Sequence, residues 1–239
     1  MAARTVILLP PSEGKAPGGR GAPWAPGRLV LPELDDRRAQ VLAALGEGHP
    51  ARTSGTRPAI DRYTGVLYRE LDAASLDGAA RNRLTRQALI ASGLWGVVGP
   101  RDPIPDYKLK MGARVAPLGT LSGWWRPALT AALRDRVGGA VVWDLLPNEH
   151  AAAIDWSQLA PRTRVQVRFL DRQGKVVSHW NKLLKGSIVR WLVETGTNDP
   201  AALAGFDHPQ GYRLDGAAST FARREVSLVL REGEPSTLG

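Results

Sequence analysis

Residues 91–112 read ASGLWGVVGPRDPIPDYKLKMG, and this stretch sets the frame for the rest of the chain. Ala88–Ala91 and the following Leu94, Trp95, Val97 and Val98 are apolar, the signature of a buried strand, while Gly93, Gly96 and Gly99 permit close backbone approach. Pro100, Pro103 and Pro105 exclude a helix interior and bias the preceding residues toward extended geometry. Arg101, Asp102, Asp106, Tyr107, Lys108 and Lys110 then follow within ten residues. The pattern is a strand feeding a stiff polar loop, a common placement for binding and catalytic groups. An ordinary solvated surface connection fits the segment equally well.

Working outward, Thr5–Leu9 is a short aliphatic strand that stops at Pro10-Pro11 and opens into Ser12-Glu13-Gly14-Lys15. A helix is expected over Leu34–Leu45, a loop over Gly46–Pro58, and a second helix from Ser75, as N-cap, to Leu84. Ser122–Arg136 has Trp125, Leu129 and Leu133 at helical spacing, with Pro127 expected in the first turn. Ala140–Trp143 is a buried strand ending in Asp144-Leu145-Leu146-Pro147-Asn148-Glu149-His150. Arg164–Leu170 alternates Val165, Val167 and Phe169 with Arg164, Gln166 and Arg168, and Lys175–Trp180 is expected to return as the second arm of a hairpin. Lys182–Glu194 is helical, with Leu184, Ile188, Trp191 and Leu192 as its buried stripe. Strands interspersed with helices, without repeats or a linker, predict one mixed α/β domain over residues 1–239, with a tail at 231–239.

The chain has 239 residues and no cysteine, which excludes disulfides, thiolate metal sites and a cysteine nucleophile. The apolar run Val6–Leu9 is too brief for a signal-peptide core, and no stretch approaches a membrane span, so the expected location is the cytoplasm. Net charge is +9, which favours a polyanionic partner or an anionic substrate. Arginine outnumbers lysine 26 to 6, so the six lysines stand out as candidates for work that arginine cannot do.

Two groups of residues carry candidate chemistry. Lys182, Lys185 and Arg190, with Gly186 between them, form a basic surface near a helix N-terminus, where backbone amides favour an anion. The turns after two parallel strands would bring Glu13 and Lys15 to the same sheet edge as Asp144, Asn148 and Glu149, with Asp102, Tyr107 and Lys108 joining from the central loop. A lysine and a carboxylate sharing a desolvated pocket act as electrophile and base, or simply pair. His49, His150, His179 and His208 show no metal-ligand spacing, so no metal is expected and His150 reads as structural. Neither common nucleotide-binding glycine pattern nor a nucleophile elbow is present, and no cofactor is implied.

In order, PPSEGK, DRYTGVLY, the stretch 91–112, VVWDLLPNEH, KLLKGSIVRW and GFDHPQGY resemble the peroxide stress protein YaaA family from near residue 6 to near residue 214. The resemblance implies a single α/β domain of unusual topology with a positively charged cleft, a cytoplasmic role in oxidative stress, and association with double-stranded DNA. Matched position by position, it implies roles for Ser12, Lys15, Tyr63, Gly65, Arg101, Asp102, Tyr107, Lys108, Asn148, Glu149, Lys182, Lys185, Gly186 and Arg190. Of these, Lys15, Asp102, Tyr107, Glu149 and Lys182 are the catalytic candidates. Ser12, Tyr63, Arg101, Lys108, Asn148, Lys185 and Arg190 are the binding candidates. The chain departs from the family where residues 46–62 are short, since relatives carry there a segment resembling a helix-hairpin-helix that grips duplex phosphates. The alternative reading is therefore a lyase or hydrolase type of enzyme acting on a small anionic or nucleoside-like substrate, in a specialised pathway.

Overall fold

Thr5–Leu9 (β1) is TVILL, and all five residues are buried. A strand with neither face open to water belongs in the middle of a parallel sheet covered on both sides. In the computed structural model, which describes residues 4–177 and 180–233, β1 lies between two parallel partners. On one side is β2 (Ala88–Ser92), which doubles back through the antiparallel edge strand β3 (Gly96–Val98). On the other is β4 (Val141–Asp144), followed by β5 (Thr163–Leu170), again parallel. Strands β6 (Tyr212–Leu214) and β7 (Thr220–Phe221) run antiparallel to β8 (Glu225–Glu232), which joins β5 in parallel. The order across the sheet is β6-β8-β5-β4-β1-β2-β3, with β7 on β8, so the protein is a single mixed α/β domain.

Among the described residues, five helices longer than four residues carry the connections: α1 (Asp35–Ala44), α2 (Val66–Leu71), α3 (Gly78–Gln87), α4 (Leu121–Val137) and α5 (Asn181–Thr195). The chain leaves β1 toward β2 on one side and later returns to β4 on the other. The direction of winding therefore reverses between β1 and β4, and the carboxyl ends of these two strands flank a crevice of the kind in which open α/β sheets bind ligands. Helix α5 packs closely on α2 at Gly186, where a Cβ would fall on the carbonyl oxygen of Leu67.

The structure corrects several local expectations. The cap of α3 is Asp77, whose Oδ1 accepts the Ala80 amide at 2.6 Å, while Ser75 donates instead to the Asp72 carbonyl at 3.1 Å. Helix α4 starts at Leu121, so Pro127 lies in its interior rather than its first turn. Of the expected hairpin after β5, the described residues bridge Leu170 with Val176 and the Val177 amide donates to the Phe169 carbonyl at 2.9 Å, while Ser178 and His179 lie outside the described residues. The polar segment after Leu45 is not wholly irregular. It contains a 3-10 turn at Pro50–Arg52 and a two-residue strand, Arg57–Pro58, that pairs with Pro103–Ile104 of the central stretch. The expected tail at 231–239 begins later, because Arg231 and Glu232 still belong to β8 and pair with β6; residues 234–239 are outside the described residues.

Candidate functional site

The turn after β1, Pro10–Gly14, and the turn after β4, Pro147–His150, form two walls of a cleft of about 510 Å3. The third wall is the start of α2, Gly65–Arg69, and the floor is the first turn of α5, with Asn181, Lys182 and Lys185. The walls fit tightly. A Cβ on Gly65 would fall on Ser12 Oγ, so only glycine lets α2 approach the first turn. Among the described residues no side chain caps the N-terminus of α5, a 15-residue helix whose dipole places partial positive charge at this end.

Each side chain of the cleft has a distinct setting. Lys185 is largely buried and its Nζ donates to the Leu145 carbonyl at 2.9 Å. Burial pushes its amine below the ordinary lysine range, and the field of Asp144 opposes that shift. Asp144 does not reach it as an ion pair, because its carboxylate is held by Arg164 through contacts of 3.0 and 2.6 Å. Lys182, three residues earlier, is exposed at the rim, and so is Arg69. Glu149 accepts the Gly112 amide at 2.8 Å, and the end of the central stretch is tied to the cleft in this way. A second tie is the ion pair between Lys110 and Glu13 at 2.8 Å, whose hydrogen bond holds the Glu13 carboxyl below its usual range. His150 has a buried Nδ1 without a hydrogen-bond partner, and burial lowers its pKa against the pull of Glu149. The Tyr68 hydroxyl donates to the Pro10 carbonyl at 2.7 Å, and burial raises its pKa well above the ordinary value.

Beside the cleft lies a second cluster. Lys15 pairs with Tyr63 in an isolated bridge, donates to the Ser12 carbonyl at 3.1 Å, and lies 4.5 Å from the centre of the Tyr107 ring. The hydroxyls of Ser92, Tyr107 and Tyr63 form a buried chain with both spacings at 2.8 Å. Burial lowers the pKa of Lys15 and raises those of both tyrosines. The cluster couples β2, the central stretch and the segment 61–65 beneath the first turn. Lys15 is not among the residues that line the cleft.

Of the sequence candidates, the structure brings Ser12, Glu149, Lys182 and Lys185 into one cleft, and groups Lys15, Tyr63 and Tyr107 next to it. The others go elsewhere. Asp102 is a scaffold group: its Oδ2 accepts the amides of Val30 at 2.8 Å and Gly99 at 2.9 Å. Arg101 is exposed and lines a separate depression with Asp61 and Arg81. Arg190 donates to the carbonyls of Leu71 and Asp72 at the end of α2 and pairs with Glu194 at 2.9 Å. Five residues beyond Lys185 at 100° per residue, it sits well around the helix from that lysine. Asn148 and Lys108 are exposed and do not line the cleft. Sequence reasoning missed Tyr68 and Arg69, whose signal was the short DRYTGVLYR run, and it read His150 only as structural.

Among the described residues, no helix is long and apolar enough to cross a membrane, and no group of three or more His, Asp or Glu could hold a metal. A family model described as peroxide stress protein YaaA matches residues 7–218. A UPF0246 protein of Streptomyces coelicolor is 41% identical, with 93% of this chain and 96% of that protein covered. A UPF0246 protein of Corynebacterium efficiens is 35% identical over 78% of this chain and 84% of its own length. One from Laribacter hongkongensis is 36% identical, with 79% and 77% covered.

Proposed function

The chain belongs to the peroxide stress protein YaaA family, and from that premise we propose that it serves the peroxide-stress response by binding a small phosphate-bearing, nucleoside-like ligand in the cleft between β1 and β4. The observation that carries this reading is Lys185, a cleft lysine withdrawn from water whose hydrogen-bond partner is a neutral carbonyl. A cation so placed costs stability unless an anion completes it. Lys182, Arg69 and the first-turn amides of α5 supply further positive potential at the same opening, and Tyr68 supplies an aromatic wall. The cleft volume is in the range of small-molecule sites, and its position at the reversal of strand order is where such ligands collect.

Double-stranded DNA is the second reading, favoured by the net charge of +9. The segment 46–62 argues for the small ligand, since it contains only a 3-10 turn, a two-residue strand and the single-turn helix Ala59–Arg62 in place of a helix-hairpin-helix. Parallel titrations with AMP and with a labelled duplex, across a salt series, test the choice. Saturable AMP binding with weak salt dependence is expected. Duplex binding that falls with a log–log slope of roughly −0.9 per phosphate contacted, with no AMP binding, would overturn it.

A further inference from the structure

Six lysines remain in this arginine-rich chain, and the structure houses them differently. Lys108, Lys175 and Lys182 are exposed, and Lys110 is paired with Glu13 at the surface. Lys15 lies over the Tyr107 ring, and burial lowers its pKa too, but it does not line the cleft. Lys185 differs from all of these. It lines the cleft, it is largely out of water, and the nearest influential carboxylate, Asp144, is engaged by Arg164. A neutral amine keeps the hydrogen bond to Leu145 with one N–H and has its lone pair free for the cleft.

Resting on the anion-binding reading of the cleft, we infer that Lys185 is a covalent site that forms an imine with an aldehyde or ketone whose phosphate group is held at the rim by Lys182 and Arg69. Burial, which holds the Lys185 amine below the usual lysine range, supports this geometry because the proton is given up more readily than from an exposed lysine when the C–N bond forms. In the addition step, the Nζ lone pair forms a bond to the carbonyl carbon, and the carbonyl π pair moves to oxygen, which takes up a proton. The carbinolamine then loses its oxygen as water, the two departing hydrogens being protons formerly on nitrogen, and the C=N bond forms. His150, whose Nδ1 has no hydrogen-bond partner, and Glu149 lie on the wall of the same cleft and carry the proton between nitrogen and oxygen.

The test uses the full chain with pyridoxal 5′-phosphate as the probe, an aldehyde that bears a phosphate. Equimolar probe is trapped with cyanoborohydride and the adduct is located among the six lysines by peptide mass mapping. Label on Lys185 is expected, reduced by inorganic pyrophosphate and by Lys182→Ala, and lost in Lys185→Arg. A circular dichroism melt checks that each variant is folded, and Lys185→Met serves if the arginine variant is not. Label spread over Lys108, Lys110 and Lys175, or label on Lys15, would overturn the inference. If pyrophosphate binds in a Lys182-dependent manner while Lys185 stays unlabelled, the imine fails and the anion site stands. If neither occurs, both fall.

Discussion

Asp102→Ala separates a scaffold residue from a catalytic one. Asp102 Oδ2 accepts two backbone amides, Val30 at 2.8 Å and Gly99 at 2.9 Å, and so ties the segment before α1 to the turn after β3. Hydrogen bonds to a charged group contribute about 1.5–3 kcal/mol each, so losing both removes roughly 3–6 kcal/mol. Part of this is offset, because the buried carboxylate is itself disfavoured, as its raised pKa records. A net loss of about 2–4 kcal/mol follows, which for a chain of this size lowers Tm by roughly 5–15 °C. Asp102→Asn retains an acceptor without the charge and should fall between wild type and alanine. The pH sign is fixed as well. A folded-state pKa above the unfolded one gives stability that is fully present below the ordinary carboxylate value and is lost as pH rises through the folded value. The asparagine variant therefore compares best with wild type above that window. Urea denaturation followed by tryptophan fluorescence measures the stability, and AMP titration measures the site. Near wild-type stability together with lost AMP binding would refute the scaffold assignment.

Other outcomes follow from the same packing. Gly186→Ala places a methyl against the Leu67 carbonyl and the Glu70 Cβ, so α5 must move off α2, at a cost of about 1–3 kcal/mol in urea denaturation. Lys185→Met removes a desolvated amine whose folded-state pKa is depressed. Its proton is bound more weakly in the folded state, so the variant should match or exceed wild-type stability at pH 7, and the gap should close as pH rises toward the ordinary lysine value. Urea denaturation at pH 7 and pH 10 gives both numbers.

Much of the architecture was legible because the strands announce themselves. TVILL and Ala140–Trp143 are apolar on both faces, and Arg164–Leu170 alternates as a strand with one face in the core. The turns after the first two frame the cleft, which is why Glu149 could be named from sequence, while Lys182 and Lys185 were legible as the basic start of a helix and Ser12 through the family resemblance. Residues whose neighbours come from distant segments were not legible. Asp102 looks like a loop carboxylate until Val30, 72 positions away, is seen donating to it. Arg190 looks like part of a basic face until the end of α2 supplies its carbonyl acceptors. His150 gained meaning only from an unpartnered nitrogen, which no spacing rule reports.

The most direct test compares AMP affinity in Lys182→Ala and Arg190→Ala. Both remove one cation from α5, but Lys182 lines the cleft while Arg190 is committed to Leu71, Asp72 and Glu194. The account predicts that Lys182→Ala weakens AMP about threefold to tenfold, near 1 kcal/mol, and that Arg190→Ala leaves it unchanged. Equal losses would mean that overall charge rather than the cleft attracts the ligand, and would contradict the account.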